Sequence, residues 1–139
     1  MKTKKLSLKK LKKLKKQCWE LCRKIVALRA KGKCELCEKK GEQVDHCFSR
    51  RIRGLFFDPR NLSLLCKPCH FKKSYCISGY EKLVDDIVRQ REGRSWWGMA
   101  GVIAGRTVQR NAKLTAEDLG TLKKFLELKL KRILERENA

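Results

Sequence analysis

Eight cysteines and two histidines carry most of the chemistry this 139-residue sequence can offer. Four of the cysteines form two Cys-x-x-Cys pairs, Cys34 with Cys37 and Cys66 with Cys69. Each such pair makes a tight knuckle that aims both sulfurs at one ion, and two pairs supply the four thiolates of a tetrahedral zinc site. A closed four-thiolate site keeps no open position, so this Zn²⁺ is expected to shape the fold and not to catalyse. The rival reading, disulfides, needs an oxidising compartment. The Lys-rich start is followed by no apolar block that would read as a secretory signal, and an intracellular location is expected.

Both histidines fall within or directly after the residues spanned by the two pairs. Asp45 and His46 are adjacent, Asn61 lies between the pairs, and His70 directly follows Cys69. Hydrolysis of a phosphodiester needs a nucleophile, neutralisation of the phosphate charge and stabilisation of the leaving oxygen. A divalent ion with positions open to water and phosphate supplies the last two. Asp45 offers a hard oxygen and His70 a nitrogen, a pair suited to Mg²⁺, Mn²⁺ or a later transition ion. Each residue also has a plainer reading. Asp45 could be a turn or cap residue, and Asn61 could serve turn chemistry alone. Cys47, His46 and His70 could form a second zinc site.

These residues need elements to position them. Val44 to Phe48 alternates like a strand, and Leu62 to Leu65 is a second apolar run. Asp58-Pro59-Arg60-Asn61 between them has turn composition. Pro68 suits a first helical turn, which predicts a helix over 68–77. The order is strand, turn, strand, helix, pinned at both ends by zinc. On a regular strand His46 would face away from Asp45 unless the backbone bends.

The pattern CxxC, DH, N, CxxCH followed by FKKS over residues 34–76 resembles the HNH endonucleases, in their variant stapled by a four-cysteine zinc. The helical C-terminal part is similar to NinG-like phage recombination nucleases. The resemblance implies a ββα-metal fold with a backbone bend that makes His46 the general base for water. It implies that Asn61 holds the His46-bearing loop by side-chain hydrogen bonds. It also implies DNA as substrate, duplex or branched, cut during recombination or DNA processing in the cytoplasm of a bacterium or a phage-infected host. An unperturbed imidazole titrates near 6.5, close to neutrality, which suits that role. The sequence departs from the family at Cys47, where an aliphatic residue is usual, and at Ser74, where some toxin nucleases carry a further His. Asp45 and His70 are then the only protein ligands for the catalytic ion.

The rest of the chain supports a polyanion as partner. The net charge is +21, of which residues 1–33 hold 14 basic and 1 acidic residue. A charge of this size implies attraction to nucleic acid, an anionic membrane or an acidic protein. Arg50, Arg51, Arg53 and Arg60, with Lys72 and Lys73 after His70, flank the proposed cleavage site and are expected to meet phosphates. No base-reading element is evident, and phosphate contacts set affinity and register, so the expectation is weak sequence specificity with selectivity for DNA structure left open. Trp96 and Trp97 have two readings, packing or stacking on unpaired bases. No apolar run is long enough to cross a membrane.

Residues 4–30 are expected to form a basic amphipathic helix whose stripe packs from Cys18 onward while Lys2 to Lys16 project, with Gly32 as its C-cap. Cys18, Cys22 and Cys76 are read as buried. Residues 80–92 predict a helix with Leu83, Val84, Ile87 and Val88 inward. Residues 94–113 show no clear period and read as a loop with one helical turn at most. Thr115 with Asp118 forms a capping box for a last helix with Leu119, Leu122, Phe125, Leu126, Leu130, Ile133 and Leu134 on one stripe. The expected architecture is α+β. It comprises a basic helix over 1–33, a small zinc-stapled ββα-metal (HNH) core over 34–78 and a helical region over 79–139, with long helices at the two ends. A homodimer built by the terminal helices is left open. The rival functions are a non-catalytic zinc module that binds nucleic acid and an RNA- or ribosome-associated basic protein.

Overall fold

The computed structural model describes residues 2–105 and 113–138. Among these, five α-helices and one two-stranded sheet give an α+β architecture. The chain divides into two compact units, one of residues 1–25 with 113–139 and one of residues 26–112.

Helix α1 spans Lys2–Arg29. Cys18 and Cys22 are buried, as the apolar spacing predicts, together with Ile25 and Val26. Lys9, Lys10, Lys12, Lys13, Lys15 and Lys16 are exposed, and the side chains of Lys2, Lys4 and Lys5 lie outside the described residues. The helix ends in paired reverse bonds, Gly32 N to Ala27 O and Lys31 N to Leu28 O. Gly32, named from the sequence, is left-handed at φ 73°, and Lys31 before it is left-handed too, at φ 55°.

In the first unit α1 is joined by α5, Ala116–Glu137. Thr115 and Asp118 make the predicted capping box. The Cys18 thiol donates to Leu119 O at 3.6 Å. The apolar stripe of α5 is narrower than expected: Leu119 and Leu126 are buried, but Phe125 and Leu134 are exposed.

In the second unit β1, Gln43–His46, pairs antiparallel with β2, Leu62–Leu65, in the register Val44 opposite Leu64 and Asp45 opposite Ser63. The first cysteine knuckle is tied to this sheet by Glu35 N to Leu64 O, and Gly41 passes so close to Leu64 that a Cβ there would collide with its side chain. Two single helical turns, Arg53–Leu55 and Pro59–Asn61, connect the strands, the second capped by the Asp58 carboxylate accepting from Arg60 N. Helix α2, Lys67–Ser74, follows with Pro68 in its first turn. It stops earlier than the expected 77, because Ile77 N bonds Lys72 O and Cys76 takes the left-handed position at φ 53°. That geometry leaves Cys76 exposed and not buried.

Helix α3 spans Tyr80–Glu92, with Val84 and Val88 buried but Leu83 exposed. Residues 94–105, expected as a loop, form helix α4, Arg94–Gly105; residues 106–112 of that stretch lie outside the described residues. Its glycines hide the period, and burial of Trp96 and Ala100, one turn apart, supplies the stability that propensity does not. These two join Ile52, Leu55, Leu65, Val84, Val88, Cys34, Cys66 and Cys69 in one core, with Phe48 and Trp97 packed against it. No described helix is long and apolar enough to cross a membrane.

Candidate functional site

The sulfurs of Cys34, Cys37, Cys66 and Cys69 lie within 4.8 Å of one another. Three of the four residues are buried and Cys37 is exposed. Burial and the neighbouring sulfurs push the Cys69 thiol up, so a cation is what would favour four thiolates here. This group can hold a structural zinc. The knuckles are built by different means. Cys34 N bonds Lys39 O around the left-handed Glu38, whereas Cys66 caps α2 and Cys69 sits in its first turn.

The staple therefore fixes α2 against the sheet, and with it His70. Asp45 on β1 is buried, and its Oδ1 lies 3.5 Å from His70 Nε2. Lys73, three residues on from His70, reaches the same carboxylate. Its Nζ donates to Asp45 Oδ1 at 3.1 Å and to the His46 carbonyl at 2.8 Å, and lies 3.0 Å from Asp45 Oδ2. The contact with Oδ2 is ionic only: that oxygen is buried without a hydrogen bond. Burial raises the Asp45 carboxyl above its usual range, and Lys73 and His70 oppose the rise.

The His46 ring packs on Phe56, centroids 4.6 Å apart, with Nε2 3.1 Å from the Phe56 carbonyl. An imidazole nitrogen facing a carbonyl donates, so the lone pair resides on Nδ1. Burial is the main cause that lowers His46 to about 4, with Arg50 and Lys73 adding to it and the Phe56 bond opposing it. The expected value near neutrality is thus corrected. His46 is neutral at physiological pH and can accept a proton, but it is a weaker base than a solvent-exposed imidazole.

Asn61 is fully buried. Its Oδ1 accepts from Phe48 N at 2.7 Å, and its Nδ2 donates to the carbonyls of Phe48 and Leu55, each at 3.1 Å. These bonds join both ends of the segment that carries Arg50, Arg51 and Arg53, just beyond His46. Cys47 donates to Asp85 Oδ1 at 3.2 Å, and burial with that carboxylate pushes its thiol up. Among the described residues only the four cysteines gather three or more metal-binding side chains, so Cys47, His46 and His70 do not form a second zinc site.

The basic residues divide. Arg50, Arg51 and Arg53 are exposed. Arg60 is engaged by Asp58 through Nε at 3.0 Å and a terminal nitrogen at 2.8 Å, and lies over Trp96. Lys72 lies over Tyr80, and Lys73 points inward to Asp45. Trp96 is buried and Trp97 packs beside Phe48, so the tryptophans serve the core.

Sequence reasoning missed a clamp behind the site. Arg91 on α3 donates to Glu35 at 2.6 Å and to the carbonyls of Arg60 and Leu62, while Arg29 donates to the carbonyls of Pro59 and Leu62. Burial lowers Arg29, with Arg91 adding to it and Glu35 opposing. Arg91 is 56 residues from Glu35, and Glu35 stands in the first cysteine knuckle only as one of its variable positions, so no local signal could have found the clamp. The inward role of Lys73 had one: its offset of three from His70 puts both on one helix face.

Family models, curated proteins and solved structures give no match to this chain.

Proposed function

We propose that this protein is a metal-dependent endonuclease of the HNH type, acting on DNA with weak sequence specificity and a preference for particular DNA structures. The observation that carries the reading is the approach of Asp45 on β1 to His70 on α2 at 3.5 Å, with His46 the next residue of the same strand. Asp45 and His70 offer the donor types a divalent ion takes, and the buried Asp45 Oδ2 without a hydrogen bond is an acceptor such an ion would satisfy. Held by these two residues, Mg²⁺ or Mn²⁺ would neutralise phosphate charge and stabilise the leaving oxygen. Neutral His46 is the base for water, with Nε2 held by the Phe56 carbonyl. Asn61 positions the loop behind His46. The exposed Arg50, Arg51 and Arg53 meet backbone phosphates.

A second reading, a zinc-stapled module that binds nucleic acid without cutting it, is favoured by one observation. The Lys73 ammonium already neutralises Asp45, and a folded core of this kind needs no further cation. A nicking assay on supercoiled plasmid with Mg²⁺ or Mn²⁺ separates the two. The nuclease reading expects cutting by the wild type and its loss in His46→Ala. Failure of the wild type to cut duplex, single-stranded and branched DNA favours the module. Cutting that survives His46→Ala removes His46 from its role.

A further inference from the structure

We propose that Lys67 and Phe71 on α2, with Tyr75 at its C-cap, form a binding stripe for unpaired nucleobases, the rings stacking on bases and the lysine meeting the adjoining phosphate. The inference rests on the nucleic-acid reading above and adds a substrate class to it. The three residues are spaced by four, so they share one helix face. All are exposed, Phe71 at 55% and Tyr75 at 68%. Their ring centroids are 4.6 Å apart with planes at 41°, so the two rings form a continuous bent surface open to solvent. Neither belongs to the core, which takes Cys69 from another face of the same helix. His70 and Lys73 point from α2 toward Asp45. The stripe and the two residues that reach Asp45 therefore share one helix, which the zinc-binding cysteines fix.

The charge chooses the occupant. Helix α2 holds Lys67, Lys72 and Lys73 and no acidic residue, in a chain of net charge +21. A second copy of the chain would bring like charge to the same surface. An unpaired nucleotide brings a π-face for each ring and a phosphate for the ammonium. Stacking of this kind tolerates any base, in keeping with a site that lacks base-reading side chains. Frayed ends, gaps and branch points would then be presented to the Asp45–His70 pair in preference to uninterrupted duplex.

The test uses the zinc-loaded full chain and fluorescence anisotropy with a labelled oligo-dT and a hairpin duplex at one salt concentration. Wild type is compared with Phe71→Ala/Tyr75→Ala and with Lys67→Ala, and sedimentation velocity follows the association state. The double variant is expected to lose at least tenfold in affinity for oligo-dT and less than twofold for the duplex. Lys67→Ala is expected to flatten the salt dependence for oligo-dT. Equal losses on both ligands, or none, overturn the proposal. A wild-type dimer that becomes monomeric in the double variant also overturns it, since the stripe is then a contact between copies. A wild type that binds no oligonucleotide defeats both this proposal and the nucleic-acid reading. Selective loss of oligo-dT binding in a protein that does not cut with Mn²⁺ upholds the stripe and defeats only the hydrolysis.

Discussion

Replacing Asn61 with Ala tests whether this residue acts by positioning. The side chain is fully buried and makes one bond to Phe48 N and two to the carbonyls of Phe48 and Leu55. Truncation leaves three backbone groups without these partners. Each buried orphan costs about 1–3 kcal/mol. Phe48 is only half-buried, so water recovers part of that, and a total of about 3–4 kcal/mol is expected. With a urea m-value of about 2 kcal/mol/M, the midpoint falls by roughly 1.5–2 M. The assay is urea unfolding followed by far-UV circular dichroism at fixed free zinc, so that metal linkage does not enter the comparison. Asn61→Asp, which keeps the acceptor but sets a buried carboxylate oxygen against the two carbonyls, should lose at least as much as Ala at neutral pH. A loss below about 1 kcal/mol at unchanged m would refute the reasoning. It would mean that the 48–61 segment is held by other contacts and that any effect of Asn61 on cutting is direct.

Removing zinc with a chelator, or replacing Cys66 with Ser, should unfold the 26–112 unit, because the four sulfurs join the first knuckle to α2. Retention of native circular dichroism after loss of one zinc per chain would contradict that. Lys73→Met removes the ammonium that shares Asp45 with any added cation, so Mn²⁺ affinity read by electron paramagnetic resonance should rise severalfold; unchanged affinity would show that the two do not compete. Asp118 is held below the usual carboxylate range by its capping bonds from Thr115. A depressed folded pKa stabilises above the unfolded value and loses that contribution as pH falls through the folded one. Asp118→Asn should therefore lower the thermal midpoint at neutral pH, and the gap to wild type should close as the solution is acidified.

Much of the scaffold was legible in the residues. The capping box at Thr115 and Asp118, the strand Leu62–Leu65 and the helix over Tyr80–Glu92 stand where the spacing put them. Helix α4 was not legible, because glycines and tryptophans in that segment carry no helical period and only packing of Trp96 and Ala100 orders it. The burial of Cys76 was misjudged for a local reason, the left-handed turn that ends α2.

Within the candidate site the division is similar. Two Cys-x-x-Cys pairs announce a four-sulfur group in the sequence itself, because each knuckle is set by residues three apart and needs only its partner pair. The pairing of the Lys73 ammonium with Asp45, the lowering of His46 by burial and the Arg91–Glu35 clamp were decided only by the tertiary structure. Each depends on which distant side chains share a low-dielectric space, and charge energies there are governed by separation and burial that no spacing along the chain encodes.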